Sequence, residues 1–159
     1  MQYAPHEKVR PGEHDCQRTM DPALNEPAEI SMSMRSDVDV LRARQYGSEL
    51  ARALRFTNTD RAMIAIVISE IARNAVLYAV NGCMQLTVVT NGNRRGLRIV
   101  SLDEGPGIAD LDLVMQDGYT TSRGLGIGLP GAKRLMDEFA IVSEVGKGTT
   151  ITMTKWEQG

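Results

Sequence analysis

The chain is short of histidine, cysteine, aromatic side chains and net charge, and each shortage removes a class of function. Only His6 and His14 are present, both near the start, so nothing beyond residue 14 can use imidazole as an acid, base or ligand. Two cysteines, Cys16 and Cys83, make neither a disulfide framework nor a C-x-x-C metal pair, which fits a reducing, cytoplasmic setting. Aromatics are 4% of the residues, so the core is expected to be aliphatic, helped by nine methionines. A formal net charge of −2 argues against nucleic acid as the main partner. The longest unbroken apolar run, Ala62 to Ile68, is too short for a membrane span, and no apolar segment follows a basic start as in a signal peptide. What is there is 159 residues, enough for one domain with a proper core, and fifteen glycines, nine of them between 105 and 148.

Residues 1–29 differ from the rest. They hold four of the six prolines and carry three basic against six acidic side chains, with few apolar residues and no period. Such a segment buries too little surface to offset the entropy of ordering, so it is read as a disordered tail or leader ahead of one domain, 30–159. Within the domain a strand-like run spans 30–35. Ser36 or Asp37 then caps a helix carrying Val40, Leu41, Ala43, Leu50, Ala51 and Leu54. A second cap signal, Thr57 to Asp60, opens a helix through about Ala79, with Met63, Val67, Ile71 and Ala75 as its apolar stripe and Asn81-Gly82 as its stop. Strands are predicted over 84–90 and 97–102, a helix from Pro130 to about Phe139, and strands over 140–145 and 149–155. The order β-α-α-β-β-α-β-β predicts an α+β, two-layer α/β sandwich: a mixed, mostly antiparallel sheet with helices on one face.

Four polar interruptions carry the chemistry. Glu70 and Asn74, four apart, project from one side of the second helix beside its apolar stripe. They read either as a general base with an amide ligand for a hard cation, or as an ordinary pair at the helix edge. Asp103-Glu104-Gly105-Pro106-Gly107 follows a strand directly: a carboxylate able to accept from an exocyclic amine, then a sharp turn open to a flat ligand. Gly124-Leu125-Gly126-Ile127-Gly128 runs into a helix, where free backbone N–H groups favour an anion. It is not a dinucleotide motif, because Tyr119 to Arg123 before it are turn-like rather than a strand. Nor is it a protein-kinase glycine loop, since no H-R-D or D-F-G exists, and Gly146-Lys147 is followed by Gly148 rather than the Ser or Thr of a Walker loop. A phosphate cradle survives. The fourth piece, Gly146-Lys147-Gly148-Thr149, reads by itself as a hairpin turn.

In this order the four resemble the GHKL (Bergerat-fold) ATP-binding superfamily: E-x-x-x-N at Glu70 to Asn74, D-x-G-x-G at Asp103 to Gly107, G-x-G-x-G at Gly124 to Gly128, and G-x-G-T at Gly146 to Thr149. The resemblance covers about residues 33–157. Within the superfamily the chain looks most like the bacterial serine/threonine switch-protein kinases of the stressosome, the RsbT type, through Ile68 to Asn74, Asp117 to Ser122 and Gly128 to Phe139. That resemblance implies ATP held under a short lid, about 109–123. Asp103 would read the adenine amine with help from Thr149, while Gly105 and Gly107 shape the pocket. Gly124, Gly126 and Gly128 would wrap the triphosphate, Asn74 would ligate Mg²⁺, and Glu70 would take the proton of an incoming serine or threonine hydroxyl. Arg123 or Lys133 would be candidates to steady the γ-phosphate. It further implies a STAS-domain scaffold or antagonist as substrate, a PP2C-type phosphatase switched on by the released kinase, and no nucleic-acid or membrane partner. The alternative is an anti-sigma factor kinase that binds a sigma factor directly.

Overall fold

A computed structural model of the chain describes residues 29–117 and 127–159. Strand β1 (Glu29–Ser33) leads into helix α1 (Asp37–Ala53). The Ser36 amide donates to the Asp39 carboxylate at 3.1 Å, so the first turn is capped as the Ser-Asp-x-Asp run predicts. Helix α2 (Asn58–Tyr78) starts on Thr57, whose Oγ1 accepts the Asp60 amide at 3.1 Å. Its core-facing stripe is Ile64, Val67, Ile68, Ile71, Ala72 and Ala75, which keeps Val67, Ile71 and Ala75 of the predicted stripe and widens it; Met63 is only half-buried. Asn81 takes a left-handed φ of 51°, which turns the chain from α2 into β2.

The hairpin β2 (Cys83–Asn91) and β3 (Arg94–Asp103) follows, then the short helix α3 (Leu111–Val114). Helix α4 (Gly128–Leu135) and the hairpin β4 (Glu138–Glu144) and β5 (Gly148–Trp156) complete the described residues. The sheet order is β1-β2-β3-β5-β4, and all four neighbouring pairs are antiparallel, so the described sheet is not mixed. Met84, Leu86, Leu97, Ile99 and Met153 meet the buried faces of α1 and α2 in one aliphatic core. Methionine does fill it: Met34, Met84, Met136 and Met153 are all buried.

Two local differences from the sequence reading have physical causes. Helix α4 ends at Leu135 rather than Phe139, because the Asp137 amide donates to the Thr154 carbonyl at 3.0 Å and Phe139 pairs with Met153, pulling the backbone into the sheet. Helix α3 is too short to leave a period in the sequence, and Asp110 caps it through the Leu113 amide at 2.9 Å. Cys83 is buried, with its Sγ 3.4 Å from Ser31 Oγ; the chain's other cysteine, Cys16, lies outside the described residues. So do the proposed tail, apart from Glu29, and the end of the lid with Gly124 and Gly126. No helix among the described residues is long and apolar enough to cross a membrane.

Candidate active site

Strand register brings the first two site residues together. Asp103, the last residue of β3, stands directly opposite Thr149, near the start of β5. Their separation of 46 positions in the chain becomes one cross-strand step. Gly148 makes the close approach possible: with φ of 109°, a Cβ there would fall 1.9 Å from the Asp103 carbonyl oxygen. Gly148→Ala is therefore expected to cost about 1–3 kcal/mol or more, lowering Tm by roughly 2–12 °C in a melting experiment. An unchanged Tm would mean that the strands do not meet in this way.

The Asp103 carboxylate is partly withdrawn from water, and that burial raises its pKa above the ordinary 3.8; the backbone amides of Gly105 and Thr149 oppose the rise. The Gly105 amide donates to Oδ1 at 2.8 Å. On the other flank the Ser143 hydroxyl lies 2.8 Å from Thr149 Oγ1 and accepts the Ile108 amide at 2.8 Å. The Gly146 amide donates to the Pro106 carbonyl at 2.8 Å, and a Cβ on Gly107, φ 72°, would meet the Glu144 carbonyl at 2.3 Å. The D-x-G-x-G turn is thus bound to the β4–β5 hairpin on one side. On the other it is bound to the end of α2, where the Glu104 amide donates to the Val80 carbonyl and Asn81 Nδ2 donates to the Glu104 carboxylate.

Above this floor runs α2. Asn74, Ala75 and Tyr78 of that helix, with Ser101, Asp103 and Thr149 of the sheet, wall a cleft of about 400 Å³. Ile71, Ile108, Leu129 and Ile151 supply flat apolar surface, and Gly128 brings in the start of α4. No side chain caps the first turn of α4, so its leading backbone N–H groups have no partner within the helix. A half-apolar cleft with an amine acceptor near its floor and a helix N-terminus at its edge is shaped for a planar base carrying an anionic tail.

Glu70 is not one of the residues that wall this cleft. It lies one turn before Asn74, only 1% exposed, with its Oε1 3.1 Å from Nη1 of Arg73. A carboxylate withdrawn so fully from water needs charge compensation, and Arg73 provides it. The sequence reading gave Arg73 no role, although a Glu–Arg pair three apart on a helix was the available signal. Ser143 was missed as well, since nothing in a lone serine of an edge strand marks it. Lys133 is exposed and does not line the cleft. Arg123 lies outside the described residues.

Comparison with known proteins agrees with the fold. Residues 34–155 match the histidine kinase-like ATPase domain family. The chain belongs to this family. Among curated relatives of this ATPase domain is serine/threonine-protein kinase RsbT of Bacillus subtilis (strain 168), 49% identical over 118 residues, covering 74% of this chain and 89% of that one. Another is the anti-sigma F factor of Thermoanaerobacter sp. (strain X514), 30% identical over 120 residues, covering 72% of this chain and 82% of that one. Among solved structures, the RsbU and RsbW domains of Rv1364c from Mycobacterium tuberculosis align with a TM-score of 0.56 at 22% identity, over 83% of this chain and 33% of that one. The last likeness concerns the fold alone. It is the fold the sequence predicts, a sheet with the helices of the ATPase domain packed on one face.

Proposed function

We propose that this chain is an ATP-dependent serine/threonine protein kinase of a bacterial partner-switching pathway. The observation that carries the reading is the cleft itself: Asn74, Asp103, Thr149 and the uncapped start of α4 line one cavity, with Glu70 a helical turn away. In it Asp103 accepts from the adenine amine, Thr149 supports the base edge, and Gly105 and Gly107 let the backbone approach the ring. Gly128 would meet the triphosphate at the start of α4, and the family resemblance assigns Gly124 and Gly126 to the same task.

A single amide oxygen from Asn74 suits Mg²⁺, which keeps several waters and takes phosphate oxygens rather than a cage of protein carboxylates. The ion would neutralise phosphate charge and hold the triphosphate in place.

The reaction transfers the γ-phosphoryl group. A serine or threonine oxygen attacks the γ-phosphorus, the bond to the bridging oxygen of ADP breaks, and the hydroxyl proton passes to the Glu70 carboxylate. Arg73 is 35% exposed against 1% for Glu70, so its guanidinium can turn to water while the carboxylate stays in place. The substrate class is proposed to be a STAS-domain scaffold or antagonist, as the family resemblance implies, and the released kinase is proposed to activate a PP2C-type phosphatase in the cytoplasm. The relatives named anti-sigma F factor support a second reading, in which the chain holds a sigma factor directly.

One assay separates the two. Full-length protein, tagged and recovered from its own cells, is incubated with γ-labelled ATP together with what it captures. Label on a serine or threonine of a captured STAS protein is expected; capture of a sigma factor supports the second reading, and no transfer to any protein overturns the kinase.

A further inference from the structure

The nucleotide site leaves one charge cluster unused, with Lys155 and Asp60 buried and Asp137 exposed. Lys155, near the end of β5, is 10% exposed at its side chain, and it lies 3.6 Å from Asp60 Oδ1 and 3.1 Å from Asp137 Oδ1. Its Nζ also donates to the Leu135 carbonyl at 3.2 Å. Leu135 is the last residue of α4, and Asp60 lies in the first turn of α2, 4% exposed at its side chain. Each carboxylate is itself held. Thr57 Oγ1 donates to Asp60 Oδ2 at 2.8 Å, and the Trp156 amide donates to Asp137 Oδ2 at 2.7 Å.

One ammonium therefore joins the ends of α2 and α4 that point away from the cleft. Their other parts, Asn74 on α2 and Gly128 with Leu129 on α4, line it. We propose that Lys155 is a positioning residue for the triphosphate: its ion-pair clamp with Asp60 and Asp137 fixes the angle at which α4 presents its first turn to the cleft. The proposal rests on the nucleotide reading above and deepens it.

The lever is short and stiff. Eight residues of helix place Gly128 about 10 Å from Leu135, so a tilt of roughly 10° about the clamp moves the cleft end by about 2 Å. A displacement of that size breaks hydrogen bonds to an anion, whose useful range of distance is a few tenths of an ångström. The polar contacts to adenine stand apart from this lever, because Asp103 and Thr149 are held by β3–β5 register and by the Gly105 turn, and Ile71, Ile108 and Ile151 line the cleft from outside α4.

A purely structural role and a positioning role differ in what they do to different ligands. A loss of general stability lowers the affinity of every ligand of the folded state alike, whereas a shift of α4 penalises phosphates and spares the base. The test compares ATP with adenosine by titration calorimetry on the full chain, for the wild type, Lys155→Met and Lys155→Arg. Because Lys155→Met strands a buried carboxylate, the paired variant Asp60→Asn/Lys155→Met removes both charges and keeps the experiment decisive if the single variant does not fold. Expected is an ATP affinity at least tenfold weaker in the methionine variants, with adenosine affinity within twofold of wild type and partial recovery of ATP binding in Lys155→Arg. An unchanged ratio of ATP to adenosine affinity in a folded variant overturns the clamp. If wild-type protein binds ATP no better than adenosine, the phosphate cradle itself is lost, and the proposal falls with it.

Discussion

Glu70→Ala is expected to reduce phosphoryl transfer by about 10²–10⁴-fold, the usual contribution of a positioned general base, while ATP affinity stays within about twofold. The separation between the two readouts follows from geometry. Glu70 stands outside the walls of the cleft, buried against Arg73, whereas Asn74 one turn further on is part of the wall. Removing the carboxylate leaves Arg73 able to reach water, so the fold loses little. Glu70→Gln keeps the shape and removes only the basicity, and it is expected to be nearly as slow. Single-turnover transfer from labelled ATP to the protein substrate, beside a separate ATP titration, measures both quantities. Transfer at the wild-type rate in either variant would remove Glu70 as the base.

Asp103→Asn is expected to weaken ATP binding by about 1–3 kcal/mol, roughly 5- to 150-fold in Kd. An isosteric change is this costly because of the donors around it. The Asp103 carboxylate already accepts from the Gly105 amide and is stabilised by the Thr149 amide, and a carboxylate has lone pairs left for an adenine amine. An asparagine has one oxygen and one NH₂ group, and whichever way it turns the NH₂ meets a donor.

The same residue predicts a pH dependence. Burial raises the Asp103 pKa above 3.8, so the carboxylate protonates at a higher pH than an ordinary aspartate does. ATP affinity should accordingly fall as pH drops through that raised value, and the fall should be missing in Asp103→Asn. For the free protein the sign is opposite. The folded state binds this proton more tightly than the unfolded state, so Asp103 costs stability as pH rises through the same window. Calorimetric titration across the acid range reads the first effect; an acid limb that survives in the variant would place the responsible group elsewhere.

Much of the fold was legible in the chain because its signals are local. Ser36 and Thr57 cap helices where the sequence places caps, and Asn81-Gly82 ends α2 because asparagine tolerates the left-handed φ of the turn. The segments 84–90, 97–102 and 149–155 became strands, with Met84, Leu86, Leu97, Ile99 and Met153 in the core. The failures have the opposite character. α4 keeps a helical pattern past Leu135, yet hydrogen bonding to β5 outcompetes it. The predicted mixed sheet is antiparallel in every described pair, because strand direction depends on how connections cross and not on composition.

The candidate site divides along the same line. By itself the sequence marked the side chains proposed to carry chemistry: a carboxylate and an amide four apart on one helix face, an aspartate at a strand end, and glycines where backbone must come close. These are properties of residue type and spacing, and four motifs in the right order were enough to place the chain in its family. The empty half of the chain's chemistry, with no histidine after residue 14, was equally plain. Only the tertiary structure decided that Asp103 faces Thr149, that Asn74 walls the cleft while Glu70 does not, and that Lys155 meets Asp60 from 95 positions away. Strand register and helix packing set such meetings, and a one-residue slip would turn each side chain to the opposite face. No local propensity encodes that choice, because its energy lies in contacts between segments that are far apart in the chain.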